Sequence, residues 1–257
     1  MSTPEVYLAT YSSLPYQEAL KLQKRVLSAK VEGDFPDTLI VLEHPPVITL
    51  GRRGKEDHIM ASPDELEREA IEIFHVERGG DVTYHGPGQI VGYPVFALAN
   101  YGRDLSRFVF SIEEVLIRVC QDLGIEAGRK SINRGVWVDD KKIASIGLAI
   151  RRWISFHGFA FNWAPNMDHF RLITPCGLAG VEMTSVREIL GEGTRPDFLR
   201  TLIYRHFEEV FHIHLREVNL IEKLGEGGAH EHSWRSQIHE GARVGQTRGR
   251  SRYRGDH

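Results

Sequence analysis

Residues 78–94 read RGGDVTYHGPGQIVGYP. Five glycines and two prolines stand among Arg78, Asp81, Thr83, Tyr84, His85 and Gln89, and a sustained apolar run begins only at Ile90. That composition suits a binding loop better than a core element. Glycine lets the backbone turn through positive φ and lets a ligand approach main-chain N–H groups, while Arg78, Thr83, His85 and Gln89 offer donors and acceptors. The following IVGYPVFAL, residues 90–98, reads as a strand returning into the core. A polar surface hairpin is the alternative, since glycine pairs are routine in ordinary loops.

Working outward, the β-like IEIFHVE of residues 71–77 feeds directly into this stretch, and Ser62 is placed to cap a short helix in SPDELEREA. Residues 37–54, DTLIVLEHPPVITLGRRG, hold two apolar runs split by Pro45 and Pro46. Proline removes a ladder donor, so the reading is two strands separated by a rigid turn, with Arg52 and Arg53 at the mouth of a loop. Residues 13–29 place Tyr16, Ala19, Leu20, Val26 and Leu27 near helical spacing, with Ser12 or Ser13 as the cap before Pro15.

Downstream, residues 104–125 set Phe108, Val109, Ile112, Val115, Leu116, Val119 and Leu123 on one helical face ended by Gly124, with Cys120 beside it as a small buried hydrophobe. GVWVDDKKIASIGLAI, residues 135–150, reads as a hairpin turning at the charged Asp139–Lys142. RRWISFHGFAFNW, residues 151–163, is a further strand, and its interior Gly158 implies that something approaches the backbone closely. TSVREIL and RPDFLRTLIYRHFEEVF read as helices, the second with Phe198, Leu199, Leu202, Ile203, Val210 and Phe211 on one side and Pro196 in its first turn. The fold class is α/β or α+β, a mixed sheet flanked by helices.

The chain of 257 residues can bury one substantial core. Its 41% hydrophobic and 26% charged content is ordinary for a soluble globular protein. No run is long enough to span a bilayer and the N-terminus lacks a basic flank and apolar signal segment, so the expected compartment is the cytosol. Two cysteines make neither a disulfide framework nor a cysteine-rich zinc site. The net charge of −3 gives no nucleic-acid footprint, although residues 241–257 hold five arginines against one aspartate. Residues 1–224 are expected to be the catalytic domain. Residues 225–257, rich in Gly, His, Arg and Ser, are expected to be a disordered basic tail in which His230, His232 and His239 hold no functional metal.

Cys176 sits in ITPCGL, residues 173–178, between proline and glycine with no apolar periodicity around it. It is either a nucleophile displayed on a tight turn or a buried loop cysteine. A catalytic thiol needs a partner that lowers its pKa or takes its proton, and the candidates are Lys142, His85 and His157. Lys142 stands where the hairpin enters an apolar strand, a place where an ammonium can be partly desolvated and its pKa brought down. A solvated turn lysine like Lys141 is the competing reading.

In that order and at family-like separations, RGGDVTYHGPGQIVGYP, KKIASIG, HGFAFN and TPCGL resemble the octanoyltransferases of lipoate biosynthesis, over roughly residues 5–215. The resemblance implies a fold like the catalytic module of biotin and lipoate protein ligases, and a ping-pong transfer without a bound cofactor or metal. Octanoyl on the phosphopantetheine of acyl carrier protein passes to Cys176 as a thioester, then to a lysine ε-amine on lipoyl domains of 2-oxoacid dehydrogenases or on the glycine-cleavage H protein. It implies Lys142 as the acid/base partner, because the family's lysine directly precedes the Ile-Ala pair. The substrate-binding segments fall on Arg78, Gly79, Gly80, Asp81, Val82, Thr83, Tyr84 and His85, on Ser145, Ile146 and Gly147, and on Gly158, Phe159 and Ala160.

Backbone N–H groups around Gly79, Gly80 and Gly147 are the candidates for holding a developing oxyanion, worth roughly 10²–10³ in rate. Val82, Tyr84, Ile146 and Phe159 are candidate walls of an acyl tunnel. Arg52, Arg53, Lys55, Arg129, Lys130, Arg151 and Arg152 are candidates for a basic docking surface. Three rival readings are an ATP-dependent lipoate or biotin ligase, which needs no nucleophilic cysteine, a thioester hydrolase, and a binding module without catalysis.

Overall fold

The computed structural model describes residues 3–177 and 180–226, and of Cys176 and Glu226 the backbone alone. Residues up to Leu220 form one compact unit. Its large sheet has the order β12-β1-β2-β6-β10-β9-β8-β7, built from β1 (Glu5–Thr10), β2 (Thr38–Leu42), β6 (Gln89–Val95), β7 (Gly128–Lys130), β8 (Asn133–Val138), β9 (Lys141–Arg151), β10 (Ile154–Asn162) and β12 (His214–Glu217). β1 pairs in parallel with β12 and β2. From β2 onward every pair along the path is antiparallel. The short β11 (Glu182–Met183) adds in parallel to β9. A second sheet, β4-β3-β5, consists of β3 (Val47–Leu50), β4 (Glu72–His75) and β5 (Val82–His85).

The helices follow the apolar spacing of their sequences. α3 (Leu105–Asp122) is capped by Asp104, whose carboxylate accepts from the N–H groups of Ser106 and Arg107. It buries Phe108, Val109, Ile112, Val115, Leu116, Val119 and Cys120 against α5 (Pro196–Phe211) and the large sheet. Burying side chains of this kind is worth roughly 1.5–3 kcal/mol each, so this layer carries most of the core. Phe198 belongs to the exposed side of α5 rather than its apolar face, with Leu199, Leu202, Ile203, Phe207 and Phe211 buried instead. α1 (Tyr16–Glu32) starts from Pro15 without a side-chain cap, so neither Ser12 nor Ser13 serves. Its buried face takes Leu22 and Gln23 rather than Leu20. α2 (Pro63–Arg68) has the expected Ser62 cap, as a full capping box with Glu65, and α4 (Val186–Leu190) is capped by Ser185.

Prolines 45 and 46 do separate two strands, but those strands enter different sheets. The loop reading of residues 78–94 is also revised. Val82 and Tyr84 are buried, and VTYH is a strand whose apolar residues pack with Ile48, Leu50, Phe170 and Ile173 in a small separate core. Four alternating residues surrounded by glycine carry too little apolar signal to show this. The second unit begins at Ile221. The helix α6 (Leu220–Glu226) extends two residues beyond the expected domain limit at 224, and the rest of the expected tail lies outside the described residues. Among the described residues, no helix is long and apolar enough to cross a membrane.

Candidate active site

The loop joining β4 to β5 is held down by its own backbone. Gly79 donates to Leu148 O at 2.8 Å, tying the loop to β9, while Arg52 N and Arg53 N donate to Arg78 O and Gly80 O at 3.0 and 3.1 Å. Arg78 is the clasp. Its guanidinium donates to Thr49 O at 2.7 Å, to Thr49 Oγ1 at 2.9 and 3.2 Å, and to Gly79 O at 3.1 Å. It therefore shapes the loop more than it offers donors to a ligand. Since Gly79 N–H is spent on Leu148, it is no oxyanion donor, whereas Gly80 N–H forms no hydrogen bond among the described residues.

Between this loop and the large sheet lies a cavity partly open to solvent. Arg78 through Thr83, His85, Ser145, Ile146, Gly147, Gly158, Phe159 and Ala160 all line it, and so does Lys142. Tyr84 alone of the expected substrate segments is turned away, its hydroxyl bonded to His169 Nδ1 at 2.7 Å within the small core. The close approach expected at Gly158 is that of the neighbouring strand, since a Cβ there would overlap the Gly92 carbonyl.

Lys142 is buried, at 1% exposure. The solvated-turn reading therefore describes Lys141, which pairs with Glu182 at 3.0 Å, and not Lys142. The Lys142 Nζ lies 5.4 Å from the centre of the Trp137 ring, within cation–π range.

Of Cys176 the backbone is described, in a 3-10 turn spanning Pro175–Gly177. The turn closes by Gly177 N donating to Thr174 O at 2.9 Å, and Thr174 N donates to His58 O at 2.8 Å. His58 Nδ1 meets Asp81 Oδ1 at 2.8 Å, and that same oxygen accepts from Val82 N at 2.6 Å. Gly177, at φ +65°, rests against the Asp81 carboxylate where a Cβ would collide with it. The turn thus abuts a cavity-lining residue. Seven residues after Cys176, Met183 pairs with Lys142, and Thr184 N donates to Lys142 O at 3.0 Å. The segment bearing the cysteine is consequently anchored on one side by Asp81 and on the other by Lys142.

Four lining residues, Tyr16, Tyr93, Asn133 and His157, are absent from the sequence-derived substrate set. Tyr16 looked like an ordinary apolar helix position. His157, weighed only as a thiol partner, has φ +56° and its ring lies 4.9 Å from that of its neighbour Phe156, an arrangement that regular strand alternation forbids. The broken alternation takes His157 to Tyr16, with Tyr16 Oη to His157 Nδ1 at 3.4 Å, and its N–H donates to Gln23 Oε1 at 2.7 Å. His157 Nε2 stands 3.9 Å from Glu77 Oε2, too far for a hydrogen bond.

Burial holds the His85 and His157 pKa values below the usual imidazole range, and that of His44 down to about 4. His44 Nδ1 bonds Leu14 O at 2.7 Å, so it donates and Nε2 accepts from Tyr93 Oη at 2.6 Å. The other thiol, Cys120, is pushed up to about 12 by burial, which leaves it inert.

Comparison with known proteins agrees with the fold. The lipoyl protein ligase A/B catalytic domain matches residues 15–208. An octanoyltransferase of Caldicellulosiruptor saccharolyticus is 48% identical over 198 residues, covering 76% of this chain and 84% of that protein. One of Syntrophobacter fumaroxidans is 44% identical over 218 residues, covering 85% and 96%. Among solved structures, lipoate-protein ligase A bound with ATP superimposes with a TM-score of 0.67 at 17% identity, covering 86% of this chain and 93% of that one. The bipartite lipoate protein ligase of Thermoplasma acidophilum gives 0.67 at 18% identity, covering 87% and 91%.

Proposed function

Because the chain belongs to the lipoyl protein ligase A/B catalytic-domain family, among its octanoyltransferases, we propose that it carries octanoyl from acyl carrier protein to lipoyl-domain lysines through a Cys176 thioester. The Cys176 thiol gives its proton to Lys142 and the thiolate attacks the carrier-bound thioester carbonyl. As the tetrahedral intermediate collapses, the carrier's phosphopantetheine sulfur leaves and takes the proton from Lys142. In the second half, the acceptor lysine amine attacks the Cys176 thioester. Its proton passes to Lys142, the amide forms, and Cys176 departs and is reprotonated. One amine thereby serves both directions of proton transfer. No metal or bound cofactor enters these steps, since the acyl group arrives on the carrier's own arm.

The observation that supports the reading most is the burial of Lys142 in the wall of a cavity formed by the three expected substrate segments. Chain length selection follows from a closed wall, because each methylene is worth only ~0.8 kcal/mol, about fourfold in affinity. Of the residues expected to form such a wall, Val82, Ile146 and Phe159 line the cavity. The acceptors are lipoyl domains and the glycine-cleavage H protein, and the enzyme works beside them in the cytoplasm.

Intact-mass measurement after mixing with octanoyl carrier protein tests the route. Wild type should gain one octanoyl group and Cys176→Ala none. An unmodified wild type overturns the thioester. Free octanoate released despite added lipoyl domain would instead identify a hydrolase, and a requirement for ATP with free acid would identify a ligase.

A further inference from the structure

We propose that Glu113 is a positioning residue for Lys142, acting through the backbone of Gly135. The inference rests on the acid/base role given to Lys142 above. Glu113 belongs to α3, is 2% exposed, and lies outside the cavity lining. One carboxylate oxygen, Oε1, accepts from Gly135 N at 3.0 Å, and the other, Oε2, accepts from Arg129 Nε at 3.2 Å. A carboxylate buried this far is costly and is held only where its oxygens are satisfied. Here one of the two is spent on a single peptide N–H of β8.

That peptide is the floor on which Lys142 lies. Gly135 has φ +137°, and a Cβ there would overlap the Lys142 Cε and the Ala144 carbonyl, with Nζ only 3.2 Å away. The β8–β9 pairing also slips by one beside it. Val136 pairs with Ala144, but Trp137 pairs with Lys142, which leaves Ile143 as an extra residue on β9. Such a bulge re-aims the side chain next to it, and Trp137 then flanks the ammonium. A bulged, glycine-bearing strand has little to fix its own conformation. The Glu113 hydrogen bond fixes it from behind, and so sets where Nζ comes to rest. Arg129, which also reaches Glu114 and Phe110 O, holds Glu113 in turn.

The test compares wild type with Glu113→Gln, which keeps an acceptor toward Gly135 N–H, and Glu113→Ala, which does not. Because Glu113→Ala also strips Arg129 of a partner and can cost the fold, Glu113→Asp, which withdraws the carboxylate by one methylene, is measured beside it. The first readout is labelling of the free enzyme with acetic anhydride, taken as the Lys142 to Lys141 ratio by peptide mass. Lys142 labelling should rise several-fold in Glu113→Ala and Glu113→Asp and stay near wild type in Glu113→Gln.

The second readout is octanoyl transfer, where kcat should fall roughly tenfold to a hundredfold at unchanged KM and return with Glu113→Gln. An unchanged labelling ratio in both Glu113→Ala and Glu113→Asp overturns the proposal, including where activity drops only with the folded fraction. A wild type that accepts no octanoyl refutes the reaction, while the labelling comparison still decides the geometry.

Discussion

Gly177 owes its place after Cys176 to what lies beneath it. The Asp81 carboxylate, fixed by His58 and by Val82 N–H, fills the space a Cβ would take, and φ at Gly177 is +65°. Gly177→Ala must therefore lift the turn off Asp81 as well as adopt a left-handed conformation, which for a non-glycine residue costs about 1 kcal/mol or more. The expected outcome is a protein that still folds, with Cys176 acylation slowed roughly tenfold to a hundredfold. Burst-phase mass measurement beside a melting curve checks it, and acylation at the wild-type rate would refute the tight fit. That Lys142 and the RGGD segment face one cavity was legible through the family resemblance of short motifs, since local residue types alone leave a lysine beside a turn open between solvated and buried. Tyr16, Tyr93 and Asn133 were not, since a tyrosine in a helical stripe or a strand reads as core, and which faces meet is a property of the assembled sheets.

At the scale of elements, legibility followed the length of the apolar pattern. α3 repeats its stripe over 18 residues and declares itself, although its Asp104 cap went unread, whereas β5 has four residues and reads as loop. The same short elements assemble a feature with no sequence signal, the buried histidines. His44 follows β2, His85 ends β5 and His157 lies in β10, and the rings of His44 and His85 come within 5.8 Å.

All three pKa values are lowered, first by burial. Each group is neutral when folded and binds a proton more readily when unfolded, so acid favours the unfolded chain. Their stability contribution is complete above the unfolded value near 6.5. It is lost as pH falls from there, for His44 until about 4. His44 alone accounts for on the order of a few kcal/mol across that window. Urea midpoints should thus fall already between pH 6.5 and 5, before carboxylates titrate, and a flat midpoint across that range would count against neutral buried imidazoles.

Over the whole molecule, the net charge of −3 conceals where cations are left uncompensated. Of the seven residues expected to form a docking surface, Arg129 is engaged by Glu113 and Glu114, and Lys130 by Asp140. Arg151 and Arg152 form no ion pair among the described residues. They immediately precede Trp153, which is 48% exposed and has the Arg103 guanidinium 5.8 Å from its ring centre. Arg103, Arg152 and Trp153 all have positive φ, a strain that large side chains bear only where the surrounding turns hold them.

Along β9, Arg151 is four residues from the cavity-lining Gly147, about 13 Å at strand rise. A phosphopantetheine arm of roughly five residue lengths, ~17 Å, spans that gap, and a lysine side chain does not. Under the proposed reaction the patch is therefore assigned to the acyl donor rather than the acceptor. Arg151→Glu with Arg152→Glu should slow acylation by octanoyl carrier protein about tenfold at low salt, with the gap to wild type closing as salt screens the encounter. Transfer from pre-acylated enzyme to a lipoyl domain should change much less. Equal slowing of both half-reactions, or a mutant with the wild-type salt dependence, would remove the patch from donor docking.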